Sequence, residues 1–367
     1  MEARLVLEDG SIYTGQLWGE PGETAGEVVF NTSMTGYQEL LTDPSYFGQI
    51  VVATYPLIGN YGISAQRDES YRVHVRGFVV REAVPEFSHW SATAGIDRYL
   101  QEAGVVGLCG VDTRALTKRL RKAGTLRGII ASGGTEDALR ERARSLTLPH
   151  DQVAQVSLPT PQTVAGGGPH VVIIDYGMKR AIARRFHELG ARLTILPASS
   201  TAKEILDCRP DGVVLSNGPG DPADLPQETA TVRELLGQVP IFGICLGHQL
   251  LARACGARTY KLKFGHRGSN HPVRVLQNGA VVITAQNHGY AVAAESLKGT
   301  DLEMTQIDVN DQTVEGLAHT RFPAYSVQYH PEGSPGPRDA EPLFAQFLQE
   351  ISGQCAYQGG IFTPNYR

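Results

Sequence analysis

The sequence predicts an α/β protein whose carboxy-terminal half forms a doubly wound, mostly parallel sheet, preceded by a mixed α and β amino-terminal domain. The chain has 367 residues, about twice a common domain size, so two domains are expected. In the second half, aliphatic runs alternate with helix-like stretches, the order typical of a parallel sheet covered on both faces. In the first half, short strand-like pieces are separated by turn residues.

The amino-terminal domain is predicted over residues 1–146. Its strand-like pieces are RLVLE, GEVVFNT, IVVATYP and VHVRGFVVRE, and its helical stretch is TRALTKRLRKAG. Residues 147–169 combine prolines and short polar residues with a run of glycines, a composition typical of a linker. The domain boundary is therefore expected in this segment.

The carboxy-terminal domain is predicted over residues 170–354, with residues 355–367 as a tail. Each aliphatic run leads into a helix-like stretch: VVIIDY into KRAIARRFHELG, RLTILP into TAKEILDCRP, DGVVLS into ETATVRELLGQ, and VPIFGI into HQLLARACG. Ligands of such sheets bind at the carboxyl ends of the strands. Cys245 and the glycines of SNGPGDP, residues 216–222, are expected at that edge.

Composition and charge exclude several classes of function. The chain has 33 basic and 38 acidic residues and a formal net charge of -5. This balance offers no basic field for nucleic acid or anionic lipid. The cysteines are far apart and form no C-x-x-C pair, which suits the reducing cytosol. The amino terminus lacks a signal-peptide layout, and no apolar run approaches the ~20 residues of a membrane span. A cytoplasmic protein is expected.

The segment GICLG, residues 243–247, has the form of a nucleophile elbow. Small residues on both sides of Cys245 let a strand turn sharply into a helix and expose the side chain between them. A helix amino terminus carries free N–H groups and partial positive charge, which favour a thiolate. Cys245 is therefore the candidate nucleophile.

A nucleophilic thiol needs a base, and His330 is the candidate. It lies in AYSVQYHPEG, where an alternating run ends at Pro331, a residue that suits a strand terminus. Glu332, two positions further on, can orient the imidazole as the third member of a triad.

Each of these signals also has a structural interpretation. Cys245 could be a buried cysteine at a strand–helix junction, and the H-P-E tripeptide could belong to a surface loop. Cys245 and His248 are three residues apart, but a zinc site needs three or four ligands and no second Cys/His pair lies near. We expect no metal, and we interpret His248 as part of the first turn of the helix.

Two further stretches offer groups for binding. SNGPGDP follows a buried strand, and its glycines leave backbone amides unobstructed, as oxyanion or substrate binding requires. TAQNHGYAV, residues 284–292, offers Asn287 and the exposed backbone of Gly289, although an ordinary turn also accounts for it.

Together, GICLGHQLL, SNGPGDP, TAQNHGYAV and QYHPE resemble the class I glutamine amidotransferase domain, whose triad is cysteine, histidine and glutamate. The first half of the chain shows which kind of amidotransferase the chain resembles. LVLEDGSIYTG, GEVVFNTSMTGYQELLTDPSYFGQIVVATYPLIGNYG and DTRALTKRLRKAG are similar to the amino-terminal domain of carbamoyl-phosphate synthase small subunits. The elbow is shared by many amidotransferases, whereas TSMTGYQE is specific to this subunit.

The resemblance covers nearly the whole chain and implies roles for individual residues. It makes Cys245 the nucleophile, His330 the base and Glu332 its orienting partner. Tyr290 stands where phenylalanine is common and Gly333 where alanine is usual, and neither departure touches the triad. The implied glutamine contacts are Ser45, Gly218, Gly220, Leu246, Gln249, Asn287, Gly289 and Tyr290.

The resemblance also implies partners. L-glutamine is the expected substrate, and a large synthetase subunit is the expected partner in a heterodimer or a higher assembly. No cofactor is expected in this chain, whereas ATP and Mg are expected on the large subunit, which makes carbamoyl phosphate from bicarbonate, ammonia and ATP. The product serves arginine synthesis, pyrimidine synthesis or both.

Other functions remain as alternatives. The chain could serve another synthase, such as those for anthranilate, GMP or CTP, and only the first domain argues against this. A peptidase-like cysteine hydrolase is another enzyme class. A catalytically silent interaction subunit is a third alternative, and the presence of Cys245, His330 and Glu332 argues against it.

Overall fold

The computed structural model describes residues 1–354 and 356–357, which form two compact units. The first unit contains Met1–Pro149 and Lys263–Arg267, and the second contains His150–Leu262 and Gly268–Arg367. The predicted tail, residues 355–367, lies outside the described residues except for residues 356 and 357. Among the described helices, none has the length and apolar character needed to cross a membrane.

The first unit contains nine strands and four α-helices within residues 1–149. The strands are β1 (Glu2–Leu7), β2 (Ile12–Gly19), β3 (Thr24–Asn31), β4 (Gln49–Ala53), β5 (Leu57–Ile58), β6 (Gly77–Val79), β7 (Glu82–Ala83), β8 (Val106–Cys109) and β9 (Leu126–Ala131). The helices are α1 (Tyr37–Thr42), α2 (Ile96–Glu102), α3 (Thr113–Ala123) and α4 (Glu136–Ser145).

Seven of these strands close into a barrel in the order β1-β2-β8-β6-β4-β3-β9. Alternate residues of β3 and β4, such as Val28 and Ile50, point into one buried apolar cluster with Leu5 of β1. The mixed α and β composition of this half was predicted, but the barrel was not. Closure depends on which strands pair, and the parallel pairs β3–β4, β4–β6 and β6–β8 join strands that are distant along the chain.

The second unit alternates strands and helices before it ends in a run of strands. The strands are β10 (Gln162–Val164), β11 (His170–Asp175), β12 (Arg192–Pro197), β13 (Gly212–Leu215), β14 (Ile241–Ile244), β15 (Thr259–Val275), β16 (Val281–Val292), β17 (Leu302–Asp308), β18 (Val314–His319) and β19 (Ala324–Val327). The helices are α5 (Gln152–Val156), α6 (Arg180–Glu188), α7 (Ala202–Asp207), α8 (Pro226–Leu235), α9 (Leu246–Ala254) and α10 (Pro342–Ile351). All four strand–helix pairs that the aliphatic runs predict are present as β11–α6, β12–α7, β13–α8 and β14–α9.

The sheet of this unit is mixed rather than mostly parallel. Its order is β10-β12-β11-β13-β14-β19-β18-β17-β15-β16. The pairings among β12, β11, β13, β14 and β19 are parallel, whereas β10 and the strands β18, β17 and β15 pair antiparallel. No α-helix separates the consecutive strands from β15 to β19. Parallel neighbours need a long crossover, usually a helix, whereas antiparallel neighbours can be joined by short connections, and β15, β17, β18 and β19 pair antiparallel.

Helices cover both faces of the parallel strands. Val171 and Ile173 of β11 pack in one apolar cluster with Phe186 of α6 and Phe344 of α10. The alternate residues Val172 and Ile174 pack in a second cluster with residues of α7, α8 and α9. Near-continuous aliphatic strands are required here because both faces are buried.

The segment predicted as a linker is folded for much of its length. Residues 150–169 belong to the second unit, where they contain α5 and the edge strand β10, which pairs with β12. Prolines and glycines therefore bound short elements in this segment rather than leaving it as a free connection.

Candidate active site

The junction between β14 and α9 holds Cys245 in a strained backbone conformation. Its φ is 54° and its ψ is −101°, a region that costs a non-glycine residue on the order of 1–3 kcal/mol. A Cβ on Gly243 would lie 2.8 Å from the carbonyl oxygen of Gly247, and one on Gly247 would collide with the Leu215 carbonyl. Both glycines are therefore needed for the sharp turn that the sequence predicts, and Cys245 itself is buried.

Two backbone N–H groups near the start of α9 are available for an anion, those of Leu246 and of Gly218, which packs against Leu246. Leu246 is the first residue of α9, and Gly218 lies in the loop after β13. Among the described residues, neither N–H has a hydrogen-bond acceptor. A side chain on Gly218 would collide with the carbonyl oxygen of Tyr176, so only glycine fits this position. Together these groups have the chemistry of an oxyanion hole.

His330 and Glu332 form a buried pair after β19. The Nδ1 atom of His330 lies 2.6 Å from Oε1 of Glu332, and both side chains are almost fully buried. The Nε2 atom has no partner of ordinary hydrogen-bond geometry among the described side chains. Burial by itself would lower the pKa of His330, but the Glu332 carboxylate, assisted by the Cys245 sulfur, raises it to about 10. The imidazole is therefore held as a cation that Glu332 orients.

The carboxylate of Glu332 has a second cationic neighbour, Lys179. Its Nζ atom lies 2.9 Å from Oε1 of Glu332, and both side chains are buried. Burial would raise the pKa of Glu332, but Lys179 and His330 outweigh it and lower the pKa to about 2. Sequence reasoning missed Lys179. The available signal was its position in the turn between β11 and α6, at the same edge of the sheet as Cys245.

The turn from β11 to α6 fixes the position of Lys179. The Asp175 carboxylate accepts hydrogen bonds from the N–H groups of Gly177 and Met178 at 2.9 and 2.7 Å. The N–H of Lys179 donates to the side chain of Asn217 at 3.0 Å, and Asn217 donates in turn to the carbonyl of Gly177 at 3.0 Å. Asn217 therefore ties the SNGPGDP loop to the turn that carries Lys179.

One backbone carbonyl and one side-chain amide contact the sulfur of Cys245. Its thiol donates to the carbonyl oxygen of Asn287 at 3.6 Å, and the Nε2 atom of Gln328 donates to the sulfur at 3.8 Å. Gln249 donates to Oε1 of Gln328 at 3.1 Å and to the carbonyl of Tyr290 at 2.8 Å. Gln249 and Asn287 were predicted site residues, whereas Gln328 was not.

The remaining predicted contact residues are distributed over both units. Gly289 and Tyr290 are half-buried residues of β16, and Gly220 is a half-buried residue of the loop after β13. Ser45 belongs to the first unit, where it is buried and its N–H donates to the Asp43 carboxylate at 2.9 Å. Its contact with glutamine stays a prediction.

Family models match both halves of the chain. Residues 5–130 match the model described as "Carbamoyl-phosphate synthase small chain, CPSase domain". Residues 172–350 match the model described as "Glutamine amidotransferase class-I". The first match identifies the particular synthase family, because a class I amidotransferase domain alone would also fit the other synthases.

Curated relatives match the chain over almost its full length. The carbamoyl phosphate synthase small chain of Bacillus caldolyticus is 55% identical over 96% of this chain and 97% of its own length. That of Listeria monocytogenes serotype 4b is 53% identical over 95% and 97%. The carbamoyl phosphate synthase pyrimidine-specific small chain of Bacillus subtilis is 50% identical over 96% of each chain. This chain therefore belongs to the carbamoyl phosphate synthase small chain family.

Proposed function

We propose that this chain is the glutamine-hydrolysing subunit of a carbamoyl phosphate synthase. It releases ammonia from L-glutamine through Cys245, His330 and Glu332 and passes the ammonia to a large synthetase subunit. The observation that carries the proposal is the strained Cys245 beside a buried His330–Glu332 pair. The second unit is proposed to be a doubly wound domain, which the helices on both faces of its parallel strands support.

In the first half-reaction, the Cys245 thiolate attacks the side-chain amide carbon of glutamine. The carbonyl oxygen becomes an oxyanion, which the N–H groups of Leu246 and Gly218 stabilise. As the tetrahedral intermediate collapses, the His330 imidazolium gives its proton to the amide nitrogen, the carbon–nitrogen bond breaks and ammonia leaves. A thioester between Cys245 and the glutamyl group remains.

In the second half-reaction, neutral His330 takes a proton from water, and the resulting hydroxide attacks the thioester. The carbon–sulfur bond breaks, glutamate leaves, and the thiolate and imidazolium are restored. Glu332 keeps the imidazole oriented and stabilises its charge in both halves, and Lys179 keeps Glu332 ionised. We propose Gly220, Gln249, Asn287, Gly289, Tyr290 and Ser45 as the further glutamine contacts.

The nucleophile is tested by Cys245→Ser, a nearly isosteric change. We expect glutamine hydrolysis to fall by at least about 10³-fold, while synthesis with the large subunit and added ammonium salt continues. Glutamate release and carbamoyl phosphate formation are both measured. Cys208→Ser is the matched control, because Cys208 lies at the end of α7 and its thiol donates to the Glu204 carbonyl at 3.4 Å. Retained hydrolysis in Cys245→Ser would overturn the proposal.

The partner is tested by adding the cognate large subunit. The sequence contains no phosphate-binding G-x-x-x-x-G-K-[ST] motif, so ATP and Mg are proposed to act on the large subunit. We expect the chain alone to hydrolyse glutamine slowly and to make no carbamoyl phosphate from ATP and bicarbonate. Addition of the large subunit should start synthesis and accelerate glutamine hydrolysis. Synthesis by this chain alone, or failure of the two chains to associate, would contradict the proposal.

A further inference from the structure

Gln328 is a fully buried side chain that no part of the proposed mechanism uses. It follows β19 and precedes His330 by two residues, and its exposed fraction is 0%. Its N–H donates to the carbonyl of Glu315 at 2.9 Å, which fixes its backbone on β18. Its side chain reaches the nucleophile, since Nε2 lies 3.8 Å from the Cys245 sulfur.

The surroundings of Gln328 determine which end of its amide faces the sulfur. The carbonyl oxygen of Tyr290 can only accept, so the group of Gln249 that contacts it must be the NH₂ group. The same NH₂ group contacts Gln328, which must therefore present its oxygen to Gln249. The NH₂ group of Gln328 is then the one that faces Cys245. A single backbone carbonyl thus sets the orientation of both amides.

The two hydrogen bonds to Cys245 favour different forms of the thiol. The Asn287 carbonyl accepts from the S–H group and has no favourable interaction with a thiolate. The Gln328 amide is a donor, and a donor interacts more strongly with an anion than with a neutral group. When the thiol loses its proton, the bond to Asn287 is lost and the bond from Gln328 strengthens.

We propose that Gln328 is a further catalytic residue, which donates a hydrogen bond to the Cys245 sulfur and so orients the nucleophile and favours its thiolate. Gln249 is then a positioning residue that acts through Gln328, in addition to any contact with substrate. This inference rests on the proposed function, in which Cys245 is the nucleophile.

Other titratable groups near the sulfur stay unchanged in the experiment. His330 interacts electrostatically with the sulfur, and Glu332 contacts both His330 and Lys179. His248 of α9 is bonded to Ser326, His288 of β16 to Gln286, and Glu315 of β18 to Gln286. A change in the alkylation of Cys245 after substitution of Gln328 therefore reports on the amide itself.

The test is the pH dependence of alkylation of Cys245 by iodoacetamide in the full chain, followed by mass spectrometry of the peptide that carries Cys245. In Gln328→Met, which nearly keeps the volume, we expect the half-maximal pH to rise and alkylation near pH 7 to slow about three- to tenfold. Gln346→Met is the matched control, because Gln346 of α10 is also buried but bonds to Glu350. Gln346→Met should leave the pH dependence of Cys245 alkylation unchanged.

Gln328→Glu provides a second route if Gln328→Met does not fold. It keeps an acceptor for Gln249 but replaces the donor with a carboxylate, so the curve should move further to higher pH than in Gln328→Met. An unchanged curve in either folded variant overturns the proposal. This result is separate from the Cys245→Ser assay, which measures glutamine hydrolysis and decides whether Cys245 is the nucleophile at all.

The role of Gln249 is tested with Gln249→Met and the double variant. If Gln249 acts on the sulfur only through Gln328, the double variant should give the curve of Gln328→Met alone. Additive shifts of the half-maximal pH would overturn the positioning role of Gln249 and leave that of Gln328 standing.

Discussion

The first turn of α9 and the segment after β19 each bury a histidine, and the two imidazoles have opposite electrostatics. His248 of α9 contacts the hydroxyl of Ser326 at 2.9 Å, and burial lowers its pKa to about 3. His330 is similarly buried, but Glu332 raises its pKa to about 10. Burial imposes a comparable penalty on both cations, so the partner decides the outcome. A hydroxyl leaves the imidazole neutral, whereas a carboxylate makes it a proton carrier.

The largest effect should come from replacing the two histidines in turn. His330→Asn should lower kcat/KM for glutamine by about 10³-fold or more, because it removes the proton carrier. His248→Asn should change kcat/KM by less than about threefold, because a neutral imidazole bonded to Ser326 transfers no proton. Steady-state glutamate release measures both variants. Comparable losses of kcat/KM in the two variants would mean that the hydrogen-bond partner, Glu332 or Ser326, does not decide which histidine transfers protons.

A smaller effect should come from replacing the partners instead of the histidines. Glu332→Gln keeps a hydrogen-bond acceptor for Nδ1 but removes the charge, so we expect a loss of about 10- to 100-fold with detectable activity. The pKa of His330 should also fall, since Glu332 is what raises it. Ser326→Ala is the matched control at the other histidine, and its activity should stay near that of the parent.

The pH–rate profiles of Glu332→Gln and Ser326→Ala show whether Glu332 acts on His330 through its charge as well as by orienting the imidazole. Loss of the carboxylate should move the limb due to His330 to lower pH, whereas Ser326→Ala should leave that limb in place. If Glu332→Gln were as inactive as His330→Asn, the division of roles between base and orienting residue would be wrong.

Local patterns in the sequence predicted the parts of the site that depend on near neighbours. The elbow was predictable because Gly243 and Gly247 flank Cys245 within five residues and each occupies a position with no room for a side chain. The His330–Glu332 pair was predictable because its members are two residues apart, although the backbone there forms a turn, in which the Gly333 N–H donates to the His330 carbonyl at 3.2 Å, rather than an extended segment. The strands and helices from β11 to α9 were predictable from their apolar runs for the same reason.

Features that depend on distant parts of the chain were not predictable. Lys179 becomes significant only when the sheet brings the end of β11 beside Glu332, and nothing in YGMKR indicates a buried ion pair. Gln328 gains its role from Gln249 and Cys245 on a different element. Barrel closure in the first unit and the antiparallel strands of the second likewise follow from pairing between distant segments.

The effect that compares the two histidines most directly is the dependence of stability on pH. The pKa of His330 is raised in the folded state, so its contribution is fully present below the unfolded value of about 6.5 and is lost as pH rises through about 10. The pKa of His248 is lowered, so its contribution is fully present above about 6.5 and is lost as pH falls through about 3. Glu332 also acts on the acid side, where its contribution is lost as pH falls below about 4.5 and through about 2.

Denaturant unfolding at several pH values should resolve these contributions. His248→Asn should weaken the loss of stability between about pH 6.5 and pH 3 while leaving the alkaline side unchanged, because asparagine does not titrate. Glu332→Gln should weaken the loss between about pH 6.5 and pH 10, because His330 then has no carboxylate that raises its pKa. Each change should amount to at most about 5 kcal/mol in the free energy of unfolding. If His248→Asn altered the alkaline side or Glu332→Gln left it unchanged, the two histidines would not differ in the way that their partners predict.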